Sequence, residues 1–467
     1  MKRIEEDLLV SESQGKDGRP LPVNFVPTPT ETYRTHRKLV RALVTSAKPT
    51  APTTPSPGPL PRLSRGARVL MWKQDPTVAE IGIRKAFLPG WFMPGPTDAR
   101  ITVAGVPMVT PNVMGDFIAP LNSEDFDTVH AFAVVRQTLT MYQRAMNEAQ
   151  LPWAWNSGRN TDPIQVYPHA GVTANAYYSR NEKALKFFYF NKPGDPATAP
   201  KIYTCRSLDV VSHECGHAVL DGLKPDWLLA TNPPQTGGLH EAFGDLTAIF
   251  LALSEFDLVD AVIVQTKGNL HDKTFLSDLA EQFGLALGRP NGLRNADNDL
   301  KLSEVGNEVH AISQVFTGGI YDVLADLFIS EQRPALRDDA RVLYDCAEYL
   351  RSLLLRAILA APAAAATFAD VVNQMLTICA ADGKPVAYRN AIRNQFVRRE
   401  VVVSATPLTV DHDPARHLVA AVADEPGAYQ DRRFCCGTMQ HYEYVGAEEG
   451  LGIERSQLEK AVMAAGR

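Results

Sequence analysis

Two histidines and a glutamate within five residues could together bind a metal ion and activate water. They belong to the segment His213-Glu214-Cys215-Gly216-His217. Residues four apart lie on one face of an α-helix, so the two imidazoles can converge on one ion. Glu214 stands beside the first imidazole, where its carboxylate can take a proton from water without binding the ion. The pattern therefore predicts a metal-dependent hydrolytic site on a helix.

A zinc site needs a third protein ligand, which we expect from a second helix. Apolar residues with helical spacing follow Gly237-Gly238, and these glycines are expected to mark the start of that helix. Glu241 and Asp245 stand four residues apart on it. One carboxylate can bind the ion while the other accepts the Nδ1 proton of a ligand histidine and fixes its orientation. Buried carboxylates need such partners, and a divalent cation supplies one.

These two segments resemble the thermolysin-like zinc metallopeptidases, the gluzincins. In that family a His-Glu-x-x-His helix is followed by a helix that carries a glutamate and, four residues later, an aspartate. The resemblance implies that His213, His217 and Glu241 bind Zn²⁺. It also implies that Glu214 is the general base and that Asp245 orients His213. The implied activity is endopeptidase cleavage of a peptide or protein substrate.

Three further segments resemble substrate-binding or catalytic segments of that family. Asn175 and Ala176 open a strand-like run, for which the resemblance implies an edge strand that binds an extended peptide by β-augmentation. His310 lies in a segment like the one whose histidine stabilises the tetrahedral intermediate, so it is implied as the second catalytic residue. Arg294 loosely resembles an arginine that binds the substrate carbonyl.

Two features that assist the oxyanion histidine in that family differ here. Residues 224–231, between the two helices, contain no tyrosine. The aspartate that normally orients the histidine is not at its expected place, and either Glu304 or Glu308 is the candidate substitute for it.

Calcium binding and export are further points of difference. Asp209 matches a calcium ligand of the family, but Ala252 replaces the glutamate expected with it, which makes Ca²⁺ binding doubtful. The N-terminus has no hydrophobic core of a secretory signal, and no inhibitory pro-segment is evident. We therefore expect a cytoplasmic protein, with non-classical export as the alternative.

Composition argues against several other classes of protein. The chain has 467 residues, of which 45% are hydrophobic, as in an ordinary globular protein. Its net charge of -6 predicts no binding of nucleic acid, and no apolar run is long enough for a membrane span. The six scattered cysteines favour reduced thiols over a disulfide framework. Nothing in the sequence indicates an oligomeric state.

The spacing of apolar residues predicts an α+β chain. Short apolar runs separated by Gly and Pro predict a β-rich part over residues 63–253, ending in the zinc-binding helices, and apolar stripes predict a mainly helical part over 254–403. The resemblance implies that these parts are the two lobes of a thermolysin-like fold, with the active-site cleft between them. Residues 1–62 are expected to form an irregular arm with a short helix and a Pro-rich linker. Residues 404–467 are a C-terminal extension without an assigned role.

Three functions stay open at this point. The first is a zinc endopeptidase. The second keeps the zinc and the gluzincin fold but not proteolysis, so that the protein binds a partner or hydrolyses another amide; the missing tyrosine slightly favours it. The third is a delivered effector in which residues 1–60 are an address or an inhibitory arm. The sequence assigns no role to five other histidines, namely His169, His240, His271, His412 and His417.

Overall fold

Strands predominate up to Tyr203 and helices predominate beyond it, so the α+β prediction of the fold class is confirmed. The structure is a computed structural model that describes residues 66–78, 81–147, 150–289 and 292–402. These residues belong to one compact unit, which covers Pro61–Arg467. The predictions for the N-terminal arm and the C-terminal extension lie outside the described residues. The division into two lobes at residue 253 stays a prediction.

The strands form several small sheets. They are β1 (Ala67–Trp72), β2 (Ile83–Leu88), β3 (Ile101–Val103), β4 (Ile164–Tyr167), β5 (Ala176–Ser179), β6 (Ala184–Phe187), β7 (Tyr189–Phe190), β8 (Ile202–Tyr203), β9 (Asp278–Leu279) and β10 (Arg294–Asn295). The largest sheet has the order β3-β4-β6-β5, and β5 runs antiparallel to β6. The strand that follows Asn175 is therefore an edge strand of this sheet. The pairing of β9 with β10 fixes the start of the segment that carries Arg294.

Nine helices are present in the described ranges. They are α1 (Glu124–Ala145), α2 (Leu208–Leu223), α3 (Pro234–Ala252), α4 (Phe256–Thr266), α5 (Glu281–Ala286), α6 (Val309–Glu331), α7 (Asp339–Ala360), α8 (Phe368–Ala381) and α9 (Val386–Arg398). Side-chain oxygens of Ser123, Ser207, Asp338 and Thr367 accept a backbone N–H of the first turn and so begin α1, α2, α7 and α8. Helices α6 to α9 correspond to the apolar stripes of the sequence.

The two helices with the metal-binding motifs pack very closely, because glycines line their contacts. A Cβ atom added at Gly216 of α2 would lie 2.6 Å from Oγ1 of Thr247 on α3. One added at Gly238 would lie 2.7 Å from Cγ2 of Ile312 on α6. The prediction that Gly237-Gly238 mark the start of this helix is wrong, since α3 begins at Pro234. Gly238 instead allows α6 to approach the second turn of α3.

One helix in the described part of the chain, α6, has the length and apolar composition of a membrane span. Most of it is buried inside the protein, where it packs against α3, α7 and α9. It is therefore accounted for as a core helix.

Candidate metal centre

Three side chains from α2 and α3 point their ligand atoms at a common point. Nε2 of His213 lies 3.1 Å from Nε2 of His217. Two oxygens of Glu241 lie 3.5 Å from these nitrogens, one from each. All three side chains are buried. Zinc–ligand distances of about 2.0–2.1 Å in a tetrahedron separate the ligand atoms by about 3.3 Å. The donor set and its spacing therefore fit a zinc ion.

The first ligand, His213, lies directly against the backbone of α3. A Cβ atom added at Gly244 would come within 2.6 Å of Nδ1 and Cε1 of this imidazole. A side chain at residue 244 would thus occupy the space of the ring. Gly244, which lies between Glu241 and Asp245, therefore lets α3 bring both carboxylates close to the histidines of α2.

Asp245 fixes the orientation of the His213 ring. Its Oδ1 lies 3.0 Å from Nδ1 of His213 and also accepts a hydrogen bond of 3.0 Å from Nε of Arg294. With Nε2 of His213 turned to the common point, its proton belongs on Nδ1, where Asp245 is the acceptor because the nearby Nη2 of Arg294 can only donate. Burial opposes a charge on His213, but Asp245 and Glu241 outweigh it and raise the pKa of His213 to about 9. The two carboxylates beside this imidazole thus favour a positive charge at this position.

The second ligand is oriented by a residue to which the sequence assigned no role. Nδ1 of His217 lies 2.7 Å from Nδ1 of His240, and the two rings stack with centroids 5.0 Å apart. Burial lowers the pKa of His240 to about 3, so its imidazole is neutral and can accept a hydrogen bond. His240 lies about 100° from Glu241 around α3, which the sequence interpretation took as a reason to leave it aside. The missed signal is that a ligand histidine buried on α2 needs a partner for its second nitrogen.

His310 reaches the same centre from the first turn of α6. Its Nε2 lies 3.5 Å from Oε1 of Glu241, and its Nδ1 is hydrogen-bonded to Glu308. Glu308 also accepts the backbone N–H of Ala311 at 2.7 Å and so begins the helix. Of the two candidate partners, Glu304 bonds instead to the backbone of Lys301. Burial opposes the charge of His310, but Glu241 and Glu308 together raise its pKa.

A recess of about 30 Å³ opens beside His213. Glu214, Ala176, Asp245 and Arg294 all help to line it, together with apolar side chains. Asn175 is not among its lining residues. Its Oδ1 accepts the backbone N–H of Ala176 at 2.9 Å, so Asn175 holds the first residue of the edge strand β5.

Arg294 lies at the centre, although its sequence match was loose. In addition to its bonds to Asp245, its Nη1 lies 3.8 Å from Oε2 of Glu241. The arginine therefore joins the two carboxylates of α3 from the β10 side.

The structure adds nothing in favour of calcium at Asp209. Its Oδ2 accepts the backbone N–H of Ala280 at 3.1 Å. Burial and the neighbouring Asp75 raise the pKa of Asp209 well above its usual value, which favours the protonated carboxyl. Two other groups of possible metal ligands occur among the described residues, and Asp209 belongs to neither; they are Asp127, His169 and Cys205, and His271, Asp297 and Asp322.

Comparisons with known proteins give little beyond this geometry. No model of a protein family matches the chain, and no curated protein gives a significant match. Among solved structures the chain is similar to the precursor of protealysin, a metalloproteinase from Serratia proteamaculans. The identity is 15%, the TM-score is 0.40, and the match covers 64% of this chain and 84% of that chain. Similarity at this level assigns no function to the chain. A functional assignment has to rest on the side chains of the candidate metal centre.

Proposed function

We propose that this chain is a zinc-dependent endopeptidase. The observation that carries the proposal is the mutual spacing of 3.1 to 3.5 Å among the ligand atoms of His213, His217 and Glu241. Two helices would not bury these groups together without a cation, because buried ionised groups need partners. Zn²⁺ at this point would lower the pKa of water and polarise a carbonyl.

Glu214 is the proposed general base. It neighbours His213 in the chain, is buried, and lines the recess next to the ligands. Its carboxylate would take one proton from the attacking water. The same carboxyl group would then donate that proton to the leaving amine, so that the peptide bond breaks and the glutamate returns to its starting state.

His310 is the proposed donor to the oxyanion that forms on the scissile carbonyl. Glu308 holds its Nδ1, so Nε2 is the nitrogen that faces the centre. A preorganised donor of this kind contributes about 3–4 kcal/mol to the lowering of a barrier. Arg294, which Asp245 holds and which lines the recess, would donate to the substrate carbonyl.

The substrate is proposed to be an extended peptide. The edge strand β5 begins at Ala176, which lines the recess beside Glu214. A peptide can pair with an edge strand through backbone hydrogen bonds. Asn175 would then act by holding the N–H of Ala176 in place rather than by contacting the substrate.

Zinc content and proteolysis, measured on separate variants, test this proposal. Elemental analysis should find about one zinc per wild-type chain and much less in Glu241→Ala. Casein hydrolysis should fall by a factor of about 10² or more in Glu214→Gln, with zinc retained. Glu304→Gln, which removes a carboxylate outside the centre, is the matched control. Unchanged zinc in Glu241→Ala would refute the third ligand.

The second candidate is a zinc protein with the same fold that binds a partner or hydrolyses another amide. It is favoured by the absence of a tyrosine from residues 224–231, where a short 3-10 helix, Pro225–Leu228, instead buries Trp227. Wild-type protein that contains zinc but cleaves neither casein nor a furylacryloyl dipeptide would favour this candidate.

A further inference from the structure

An arginine far along the chain from the metal-binding motifs is buried without an ion pair to any described residue. Arg351 lies on α7 and is only 5% exposed. Its Nε has no hydrogen-bond partner, and no carboxylate among the described residues forms an ion pair with its guanidinium. Burial lowers the pKa of Arg351, yet a guanidinium stays charged in proteins. An unpaired buried charge is costly, so this position needs an explanation.

Arg351 lines a cavity of about 110 Å³, which is room for a small ion together with water. The cavity lies between α1, the end of β2, the segment after α3, and α7. Its lining is mainly polar and includes a second arginine, Arg144, as well as the hydroxyl-bearing Thr140 and Ser254. The Thr140 and Ser254 hydroxyls already donate to backbone carbonyls, so the two arginines are the strong donors that face this space.

The charges around the cavity do not balance. Glu255 is neutralised, because its Oε1 lies 2.9 Å from Nζ of Lys73 and accepts a 3.0 Å hydrogen bond from Gln137. Glu348 is an exposed residue at the edge and is the remaining carboxylate of the lining. Among the described residues that line the cavity, two arginines therefore face one carboxylate without an ion pair, which leaves an excess of one positive charge.

We propose that this cavity is a binding site for a small oxyanion, a phosphate group or a carboxylate, with Arg351 as its main ligand. A planar guanidinium binds such groups through two parallel hydrogen bonds. The anion would pair with the guanidinium and supply the missing negative charge. Arg144 would bind it from the solvent side. The proposal is independent of the proposed peptidase, since none of these residues belongs to the metal centre.

Thermal unfolding of the full-length protein in inorganic phosphate tests the site. Ionic strength is held constant with sodium chloride, and acetate is titrated in a parallel series. The melting temperature of the wild type should rise with phosphate or acetate, in proportion to the logarithm of the concentration once the site is mostly occupied, because a ligand of the native state stabilises it. A stronger response to phosphate identifies a phosphate group as the preferred ligand, and a stronger response to acetate identifies a carboxylate.

Two variants tie the response to the arginine. Arg351→Gln should weaken anion binding at least tenfold, whereas Arg341→Gln, which changes an exposed arginine of the same helix, should leave it unchanged. Glu348→Gln removes the competing carboxylate and should tighten binding by a factor of about 2 to 5. If Arg351→Gln does not fold, the tighter binding expected of Glu348→Gln tests the proposal in its place. A wild type whose melting temperature rises with neither anion would overturn the proposal, as would equal responses in all variants.

Discussion

Nδ1 of His217 and Nδ1 of His240 are 2.7 Å apart, and this contact sets the tautomers of both rings. Nε2 of His217 faces Nε2 of His213 at 3.1 Å, so it is the nitrogen available to a metal ion. The proton of His217 then resides on Nδ1 and is donated to His240. His240 in turn carries its own proton on Nε2, which is buried without a hydrogen-bond partner. One histidine thus orients another from within the helix that also supplies Glu241.

Replacing His240 should weaken zinc binding without removing a ligand. His240→Leu takes away the acceptor for Nδ1 of His217 and should lower the zinc affinity by about 10- to 100-fold. His240→Asn keeps an acceptor at a similar position and should recover much of the loss. Competition for zinc against a chelator measures both affinities. Circular dichroism shows whether each variant is folded, and a folded His240→Leu with wild-type affinity would contradict this role.

Gly244→Ala should damage the centre by steric conflict alone. The new Cβ would lie 2.6 Å from the His213 ring, which is closer than real Cβ atoms approach. Overpacking of this kind costs about 1–3 kcal/mol in the free energy of unfolding, and here it would also displace a ligand. Urea unfolding and zinc content measure the two effects. Gly306→Ala is the control, because no atom lies within 4 Å of an added Cβ there. Equal stability and zinc content in the two variants would show that α2 and α3 are less closely packed than described.

Glu308 should matter for catalysis more than for zinc binding. Glu308→Gln weakens the hydrogen bond that holds Nδ1 of His310, so kcat for a peptide substrate should fall by about 10-fold while zinc content is unchanged. The same change weakens the N-cap of α6, which costs about 0.5–2 kcal/mol of stability. Asp338→Ala removes a comparable N-cap from α7 and separates the two effects. If both variants lose activity equally, helix stability rather than His310 explains the loss.

The sequence was sufficient for those features that depend on spacing within one helix. Residues at i and i+4, such as His213 and His217, share a face of any α-helix, so their convergence could be predicted without knowing the fold. The apolar stripes of α6 to α9 were visible for the same reason.

What could not be predicted depends on which helices meet. The partner of His217 comes from α3, and the choice between Glu304 and Glu308 depends on where α6 begins. The start of α3 was misplaced because Gly237-Gly238 resemble a helix boundary in sequence, whereas Gly238 serves a close helix contact. The burial of Arg351 likewise follows from the packing of α7 against α1, which no local pattern encodes.

A cluster of carboxyl groups behind the recess should make stability depend on pH. Burial, and then the nearby Asp75, raise the pKa of Glu281 to about 7 from 4.5. Between pH 4.5 and 7, Glu281 therefore keeps its proton in the folded protein but has lost it in the unfolded chain. The stability that depends on this protonated carboxyl group is complete below pH 4.5 and is lost as the pH rises through 7.

Glu281→Gln isolates that contribution, since glutamine resembles the protonated carboxyl at every pH. The variant should match the wild type near pH 4.5 and become more stable by about 1–2 kcal/mol above pH 7, after allowance for solvent screening of a half-buried group. Urea unfolding at several pH values gives the difference between the two proteins, in which the other titrating groups cancel. Glu304→Gln, at an exposed position, should show no such trend. A constant difference across the pH range would mean that Glu281 has the same pKa in the folded and the unfolded protein, and that the carboxyl cluster does not retain this proton.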